Sequence, residues 1–161
     1  MKVFLACILL FIFSVNTQSQ TKKILSLKSI DNILIGISTL DSLPKVFNDN
    51  SVDIGTFTAL IQEQLPNISI CNAEQCRSEL ILVYNVFHDR HNVIYGTIQV
   101  DCRRWGTITE TGNSGFFTIW TGIRSFMFSE NNTRDIKDLI RKYVKVIVGD
   151  FAADYKLENQ D

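Results

Sequence analysis

The chain has 161 residues, of which 45% are hydrophobic and 20% are charged, and its formal net charge is −1. That length suits one domain, and the hydrophobic fraction excludes an intrinsically disordered chain. Because 16 basic residues are balanced by 17 acidic ones, the chain lacks the excess of positive charge that nucleic-acid-binding proteins carry.

The first 19 residues have the layout of a secretory signal peptide. Lys2 supplies the positive charge, and the uncharged apolar run that follows covers Val3–Val15. This run is shorter than the roughly 20 residues that a membrane-spanning helix needs. We therefore expect cleavage after Ser19 and a secreted or periplasmic protein without a stable membrane span, with an uncleaved anchor as the alternative. Cys7 lies within the apolar run, where a lipid-modified cysteine is not expected.

Export to an oxidising compartment permits disulfides. The mature chain retains Cys71, Cys76 and Cys102, and this odd number allows one disulfide and leaves one thiol. Cys71 and Cys76 flank a short polar loop, so their pairing is the preferred one, with a Cys76–Cys102 pairing as the alternative. Asn67 and Asn131 begin N-glycosylation sequons, which matter only in a eukaryotic secretory pathway.

The first half of the chain predicts one strand and one helix within a single domain over residues 32–157. A polar lead-in covers residues 20–31. Alternating side chains predict a strand over Asn32–Leu40, and Pro44 with its Asn and Asp neighbours predicts a loop. Apolar residues at helical spacing predict a helix over Val52–Leu65, which Pro66 ends.

The second half of the chain predicts a strand meander followed by a long helix. The expected strands are a short one over Ile68–Cys71 and three longer ones over residues 79–87, 93–109 and 116–128. The expected helix covers residues 133–155 with Asn132 or Thr133 as its cap, and residues 158–161 form a polar tail. This order predicts an α+β fold with a mainly antiparallel sheet and two helices on one face.

Two-residue turns would set the register of the meander. A turn at Gly112-Asn113 places Trp105 opposite Trp120 and Asp101 opposite Arg124, while a turn at Asp89-Arg90 places Tyr84 opposite Tyr95. Aromatic pairs and opposite charges are favourable cross-strand neighbours. One face of the sheet is then aliphatic and suited to the helices, and the other is aromatic and contains arginines.

The aromatic face is our candidate site for a protein partner, because exposed apolar patches of this kind mark interaction sites. Its expected partner-binding residues are Tyr84, Tyr95, Arg103, Trp105, Trp120 and Arg124. The partner would be an envelope protein or a second copy of the chain. The alternative is that the helices or the N-terminal segment pack on this face, which would make it part of the core.

No residue pattern predicts catalysis, a metal or a cofactor. His88 and His91 are the only histidines, and both lie in or beside the predicted turn. A metal site would need further ligands, and Asp89 is available, but no Cys or Glu lies close in sequence. Cys102 falls on a predicted core face, too far along its strand from His91 to act as an activated nucleophile. A secreted hydrolase or metal-dependent enzyme using His88 and His91 is one alternative function. A small hydrophobic-ligand carrier, with a cavity between helices and sheet, is another.

The order of elements between Ile33 and Tyr155 resembles that of small periplasmic domains in the N-terminal part of the Tol translocation protein and in outer-membrane accessory lipoproteins. The ending Phe151–Tyr155, followed by Asn159, resembles the tail of uncharacterised exported bacterial proteins. The resemblance implies an exported, non-enzymatic binding or scaffold domain of the cell envelope. The chain lacks the lipid-anchor cysteine of the lipoprotein members, so membrane tethering does not follow from it.

Overall fold

The computed structural model describes residues 20–23, 25–39, 43–72, 76–109, 111–129 and 136–160. The predicted signal peptide, the Asn131 sequon and the predicted helix caps lie outside these residues. The strands are β1 Gln20–Lys23, β2 Asn32–Thr39, β3 Ser69–Ile70, β4 Ser78–His88, β5 Val93–Thr107 and β6 Ser114–Ser129. The helices are α1 Lys45–Asn48, α2 Ile54–Gln64 and α3 Ile136–Glu158. No helix in the described part of the chain is long and apolar enough to cross a membrane.

The described strands form one sheet in the order β1-β6-β5-β4-β2-β3. The pairs β4–β5, β5–β6 and β1–β6 are antiparallel, whereas β2 runs parallel to both β3 and β4. The predicted α+β fold with a mainly antiparallel sheet is therefore confirmed. The short strand β1 and the single-turn helix α1 come from segments that the sequence predicted to be irregular.

The predicted register of the β4–β5 hairpin is wrong. Phe87, not Tyr84, pairs with Tyr95, and Tyr84 pairs with Ile98. The strands separate after Asp89, whose backbone N–H donates to the carbonyl of Val93 over 2.9 Å. The turn is longer than two residues because Asn92 takes a left-handed backbone conformation with φ 57°, which asparagine tolerates better than most residues.

The predicted register of the β5–β6 hairpin is wrong for two reasons. Its turn is wider than a Gly112-Asn113 pair, since the backbone N–H of Ile108 bonds to the carbonyl of Asn113. A register shift then occurs between Cys102 and Arg103, so that Trp105 pairs with Phe116 while Cys102 pairs with Trp120. A one-residue shift turns every following side chain to the other side of the sheet.

The helices pack on one side of the sheet, which we call the helix-covered face. Its buried side chains on the three long strands are Leu80, Leu82, Tyr84, Ile94, Ile98, Val100, Cys102, Trp120, Arg124 and Phe126. The opposite side is called the outer face. Its members include Glu79, Phe87, Tyr95, Gln99, Asp101, Arg103, Trp105, Phe116, Thr121 and Met127.

Both long helices bury an apolar stripe. In α2 the buried residues are Phe57, Leu60 and Ile61, and α3 buries Ile136, Ile140, Val144, Ile147, Val148, Phe151 and Ala152. Asp53 caps α2 by accepting a hydrogen bond from the backbone N–H of Thr56 over 2.8 Å. This bond lowers the pKa of Asp53 below its usual range because it favours the charged form.

The lead-in before β2 and the end of α3 are held together. Leu27 and Ile30 are fully buried in the core. The Glu158 carboxylate accepts hydrogen bonds from the hydroxyl of Ser26 over 2.7 Å and from the backbone N–H of Leu27 over 2.8 Å. The lead-in is therefore part of the packed domain, although the sequence predicted a polar segment outside it.

Candidate binding surface on the outer face of the sheet

The structure divides the six predicted partner-binding residues between the two faces. Tyr95, Arg103 and Trp105 lie on the outer face, and Trp105 is 49% exposed. Tyr84, Trp120 and Arg124 lie on the helix-covered face and are buried. The predicted grouping of all six on one face is therefore wrong, because both hairpin registers differ from the predicted ones.

The three buried residues have partners within the domain. The Tyr84 hydroxyl accepts a hydrogen bond from the backbone N–H of Val52 over 3.1 Å, and burial raises the pKa of Tyr84 to about 12. Arg124 Nη2 lies 2.9 Å from Asp150 Oδ2 on α3. Tyr84 therefore connects the loop before α2 to the sheet, and Arg124 connects α3 to the sheet. Because these side chains are buried, they do not form an exposed surface for a partner.

The first aromatic cluster of the outer face lies near the β4–β5 turn. Phe87 and Tyr95 stack at 5.7 Å between ring centroids and 26° between planes. Met127 pairs with Tyr95 across β5–β6 and is 63% exposed. These three residues, which we call the turn cluster, line a shallow groove of about 470 Å³. Methionine adapts its shape to different surfaces, and aromatic rings contribute large contact areas at interfaces.

The second aromatic cluster lies at the other end of β5. Trp105 and Phe116 meet edge to face with centroids 5.3 Å apart, and we call this pair the tryptophan cluster. Both residues are exposed. A groove of about 490 Å³ beside them is lined by Leu25, Trp105, Ile108 and neighbouring residues. The indole N–H allows such a cluster to combine apolar contact with one directional hydrogen bond.

A polar network lies between the two clusters. Asp101 Oδ1 accepts hydrogen bonds from Gln99 Nε2 and Thr121 Oγ1, each over 2.7 Å. Arg103 lies 3.4 Å from Asp101 Oδ2 and 3.5 Å from Glu79 Oε1. Two carboxylates share one guanidinium, so the network keeps one net negative charge that a cationic group of a partner could pair. The predicted register had placed Asp101 opposite Arg124. In the structure, Asp101 pairs with Arg103 instead.

Phe87 and Met127 lie exposed on the outer face but are absent from the predicted partner-binding residues. One signal was available, since Asn92 can adopt the left-handed conformation that ends a longer turn. The register shift between Cys102 and Arg103 leaves no such signal in the local pattern, because its β6 neighbours Ile119 and Trp120 are both apolar and both buried.

The histidines lie at the β4–β5 turn. The Asp89 carboxylate accepts hydrogen bonds from the backbone N–H groups of His91 over 2.7 Å and of Val93 over 3.0 Å. The Val93 bond is the main reason that the pKa of Asp89 lies below its usual range, and the nearby histidines add to the effect. Asp89 therefore shapes the turn. Among the described residues, no group of three potential ligands converges to hold a metal ion.

Two cysteines of the described chain form a disulfide, and a third has a buried free thiol. Cys71 and Cys76 form a disulfide whose Cα atoms are 6.0 Å apart, which confirms the preferred pairing. Cys102 is a free, fully buried cysteine. Burial raises the pKa of Cys102 to about 12, so its thiol stays protonated at neutral pH and is a poor nucleophile.

Aromatic side chains lie between the helices and the sheet, where the alternative function as a carrier would place a hydrophobic ligand. Between the helices and the sheet, Phe47 contacts both Tyr84 and Phe126 at 5.3 Å between centroids. Trp120 packs edge to face on Phe151 at 5.1 Å. These rings occupy part of the interior that a carrier would use for its ligand.

No family model and no curated protein matches the sequence. Among solved structures, a PelC dodecamer from Paraburkholderia phytofirmans is 8% identical, with a TM-score of 0.42 over 82% of this chain and 94% of that one. An uncharacterised protein is 10% identical, with a TM-score of 0.41 over 84% and 99%. A minor lipoprotein from Acinetobacter baumannii is 9% identical, with a TM-score of 0.30 over 80% and 91%. At these values, the similarities carry no argument about function.

Proposed function

We propose that this chain is an exported, non-enzymatic binding or scaffold domain of the cell envelope, and that its outer face docks on a protein partner. One observation carries the proposal: Phe87, Tyr95, Trp105 and Met127 are exposed on the face opposite the helices. Apolar side chains gathered on one side of a domain favour association, because contact removes their surface from water.

The separation of the two clusters favours a macromolecule over a small ligand. Tyr95 and Trp105 lie ten positions apart on β5, which corresponds to about 33 Å along the strand. A small molecule could occupy one groove but could not contact both clusters. A protein surface of ordinary interface size, about 800 Å² on each partner, could cover both clusters and the polar network between them.

The polar network would contribute specificity at such an interface. Glu79 and Asp101 provide negative charge on either side of Arg103. Charged groups within an apolar interface disfavour partners whose charges do not match them. The partner is an envelope protein in this proposal, and self-association of the chain is the alternative.

The Cys71–Cys76 disulfide supports the location outside the cytoplasm. Disulfides persist in secreted and periplasmic proteins and are rare in the reducing cytosol. The predicted signal peptide agrees with that location.

The experiment compares three forms of the purified protein. One is the unmodified chain, the second carries Tyr95→Ala with Trp105→Ala, and the control carries Ile54→Ala with Leu157→Ala. The control removes two exposed hydrophobic side chains from the helices. Each form is immobilised and exposed to envelope extract, and the captured protein is identified and then titrated in pure form.

The proposal predicts that the double outer-face variant weakens binding of that pure partner at least about tenfold, while the control changes it less than twofold. Both variants should unfold within a few degrees of the original chain. Equal binding by all three forms would overturn the proposed docking face. Light scattering tests self-association, which is the alternative. If the original chain is a dimer and only the outer-face variant is monomeric, the partner of the outer face is a second copy of the chain.

A further inference from the structure

A small polar pocket lies where the lead-in meets the start of β4 and the end of β5. Its volume is about 310 Å³, and its lining residues are Ser29, Asp31, Asn32, Arg77, Ser78 and Arg104. Ser78 and Arg104 pair directly across β4–β5. Since directly paired residues project from the same side of a sheet, the hydroxyl and the guanidinium share the helix-covered face. Arg104 also lines the groove beside the tryptophan cluster, so the pocket adjoins that end of the proposed docking surface.

Two guanidinium groups, those of Arg77 and Arg104, line the pocket. Within the described residues, neither Arg77 nor Arg104 forms an ion pair. Arg104 Nη1 donates to the backbone carbonyl of Lys28 over 3.1 Å, which uses one of the five N–H donors of this side chain. The remaining donors suit the paired oxygens of a carboxylate or phosphate.

Ser78 adds a hydroxyl group to the pocket. It is a polar residue only 4% exposed that lines the pocket. Its hydroxyl can donate a hydrogen bond to a ligand oxygen there.

The walls of the pocket are held in place from two directions. Asn159 at the end of the chain accepts a hydrogen bond from the Ser29 backbone over 3.4 Å and donates one to the Leu27 carbonyl over 3.3 Å. On the other side, Arg77 directly follows the disulfide-bonded Cys76. A site that is fixed before the ligand arrives loses less entropy on binding.

We infer that this pocket binds a small oxyanion, of the carboxylate or phosphate class, through Arg77, Arg104 and Ser78. The inference goes beyond the proposed function and does not depend on it. Asp31 also lines the pocket, so the lining has one more positive than negative charge. The Asp31 carboxylate repels an anion in this site and limits its affinity.

The test titrates the purified protein with inorganic phosphate and, separately, with succinate at constant ionic strength. Calorimetry gives the dissociation constant, and amide NMR shifts locate the site. Arg77→Gln is the main variant, because Arg77 is exposed and its loss should leave the fold intact. Arg90→Gln is the matched control, since Arg90 is an exposed arginine in the β4–β5 turn.

We expect one saturable site with the largest amide shifts at Ser29, Asn32, Arg77 and Ser78. Arg77→Gln should weaken binding at least about tenfold, and Arg90→Gln should change it less than twofold. Asp31→Asn should tighten binding severalfold, which a merely structural role of Asp31 would not produce. Whichever probe binds more tightly identifies the ligand class.

Three results would overturn the inference. They are no saturable binding of either probe, an equal loss of affinity in Arg77→Gln and Arg90→Gln, or shifts centred outside the pocket.

Discussion

Trp120 Nε1 donates a hydrogen bond to Asp154 Oδ2 over 2.8 Å and thereby joins β6 to α3. The Trp120 ring is fully buried and packs edge to face on Phe151. Trp105 lies on the opposite face and is half-exposed. The two tryptophans of this chain therefore have different functions: one holds the C-terminal helix on the sheet, and the other is available at the surface.

Trp120→Phe should destabilise the protein by about 1–3 kcal/mol, because it leaves the Asp154 carboxylate without its indole donor and removes part of a buried ring. Urea unfolding followed by circular dichroism measures the change. Trp105→Phe is the matched control and should change the free energy of unfolding by less than about 0.5 kcal/mol. Equal effects of the two substitutions would contradict the different burial of the two rings.

Gly122→Ala should destabilise the protein by about 1–3 kcal/mol. A Cβ atom at Gly122 would lie 2.6 Å from both Ile147 Cγ2 and Trp120 Cη2, so either α3 or the indole must move. Gly115→Ala is the control on the same strand, because a Cβ atom there has nothing within 4 Å. Thermal unfolding of the three proteins measures these changes.

Replacing both Cys71 and Cys76 with serine should lower the free energy of unfolding by about 2 kcal/mol. The estimate comes from the entropy of closing a short loop in the unfolded chain. A reducing agent should lower the unfolding temperature of the original chain and leave that of the double variant unchanged. An equal response of both proteins to the reductant would contradict the pairing.

Stability should fall as the pH rises through the window from about 9 to 12. Burial raises the pKa of Cys102 from 9.0 to about 12 and that of Tyr84 from 10.0 to about 12. Their ordinary pKa values apply in the unfolded chain, which releases the protons first, so the native state binds more protons in this window. Stability is fully present below pH 9 and is lost at a rate on the order of 1 kcal/mol per pH unit.

Cys102→Ala and Tyr84→Phe should each flatten this alkaline loss, while Tyr95→Phe should not. Denaturant titrations at pH 7, 9 and 10.5 compare the slopes, at about the same salt concentration to hold screening constant. The same burial predicts that Cys102 reacts with a thiol reagent only after unfolding. Rapid labelling of Cys102 in the folded protein would show that the thiol is accessible. It would contradict both the expected slow labelling and the contribution of Cys102 to the alkaline loss of stability.

Local patterns predicted most of the elements but not their pairing. The helix α2 ends at Gln64, one residue before the predicted end at Leu65, and the strands lie within a few residues of their predicted bounds. The β4–β5 register differed because the turn includes Asn92 in a left-handed conformation. The β5–β6 register differed because of the shift near Cys102. A shift of one residue changes little in local sequence preference, yet it exchanges the two faces of a strand.

The amino-acid pattern alone determined the α+β class, the order of the long elements and the preferred disulfide. It could do so because periodicity, turn residues and close cysteines act over a few neighbouring residues. Only the tertiary structure decided that Trp120 faces α3 while Trp105 faces outward, and that Arg77, Ser78 and Arg104 gather around one pocket. These positions depend on the strand registers and on contacts between the lead-in and the end of α3. Both are determined by packing between segments that are distant in sequence.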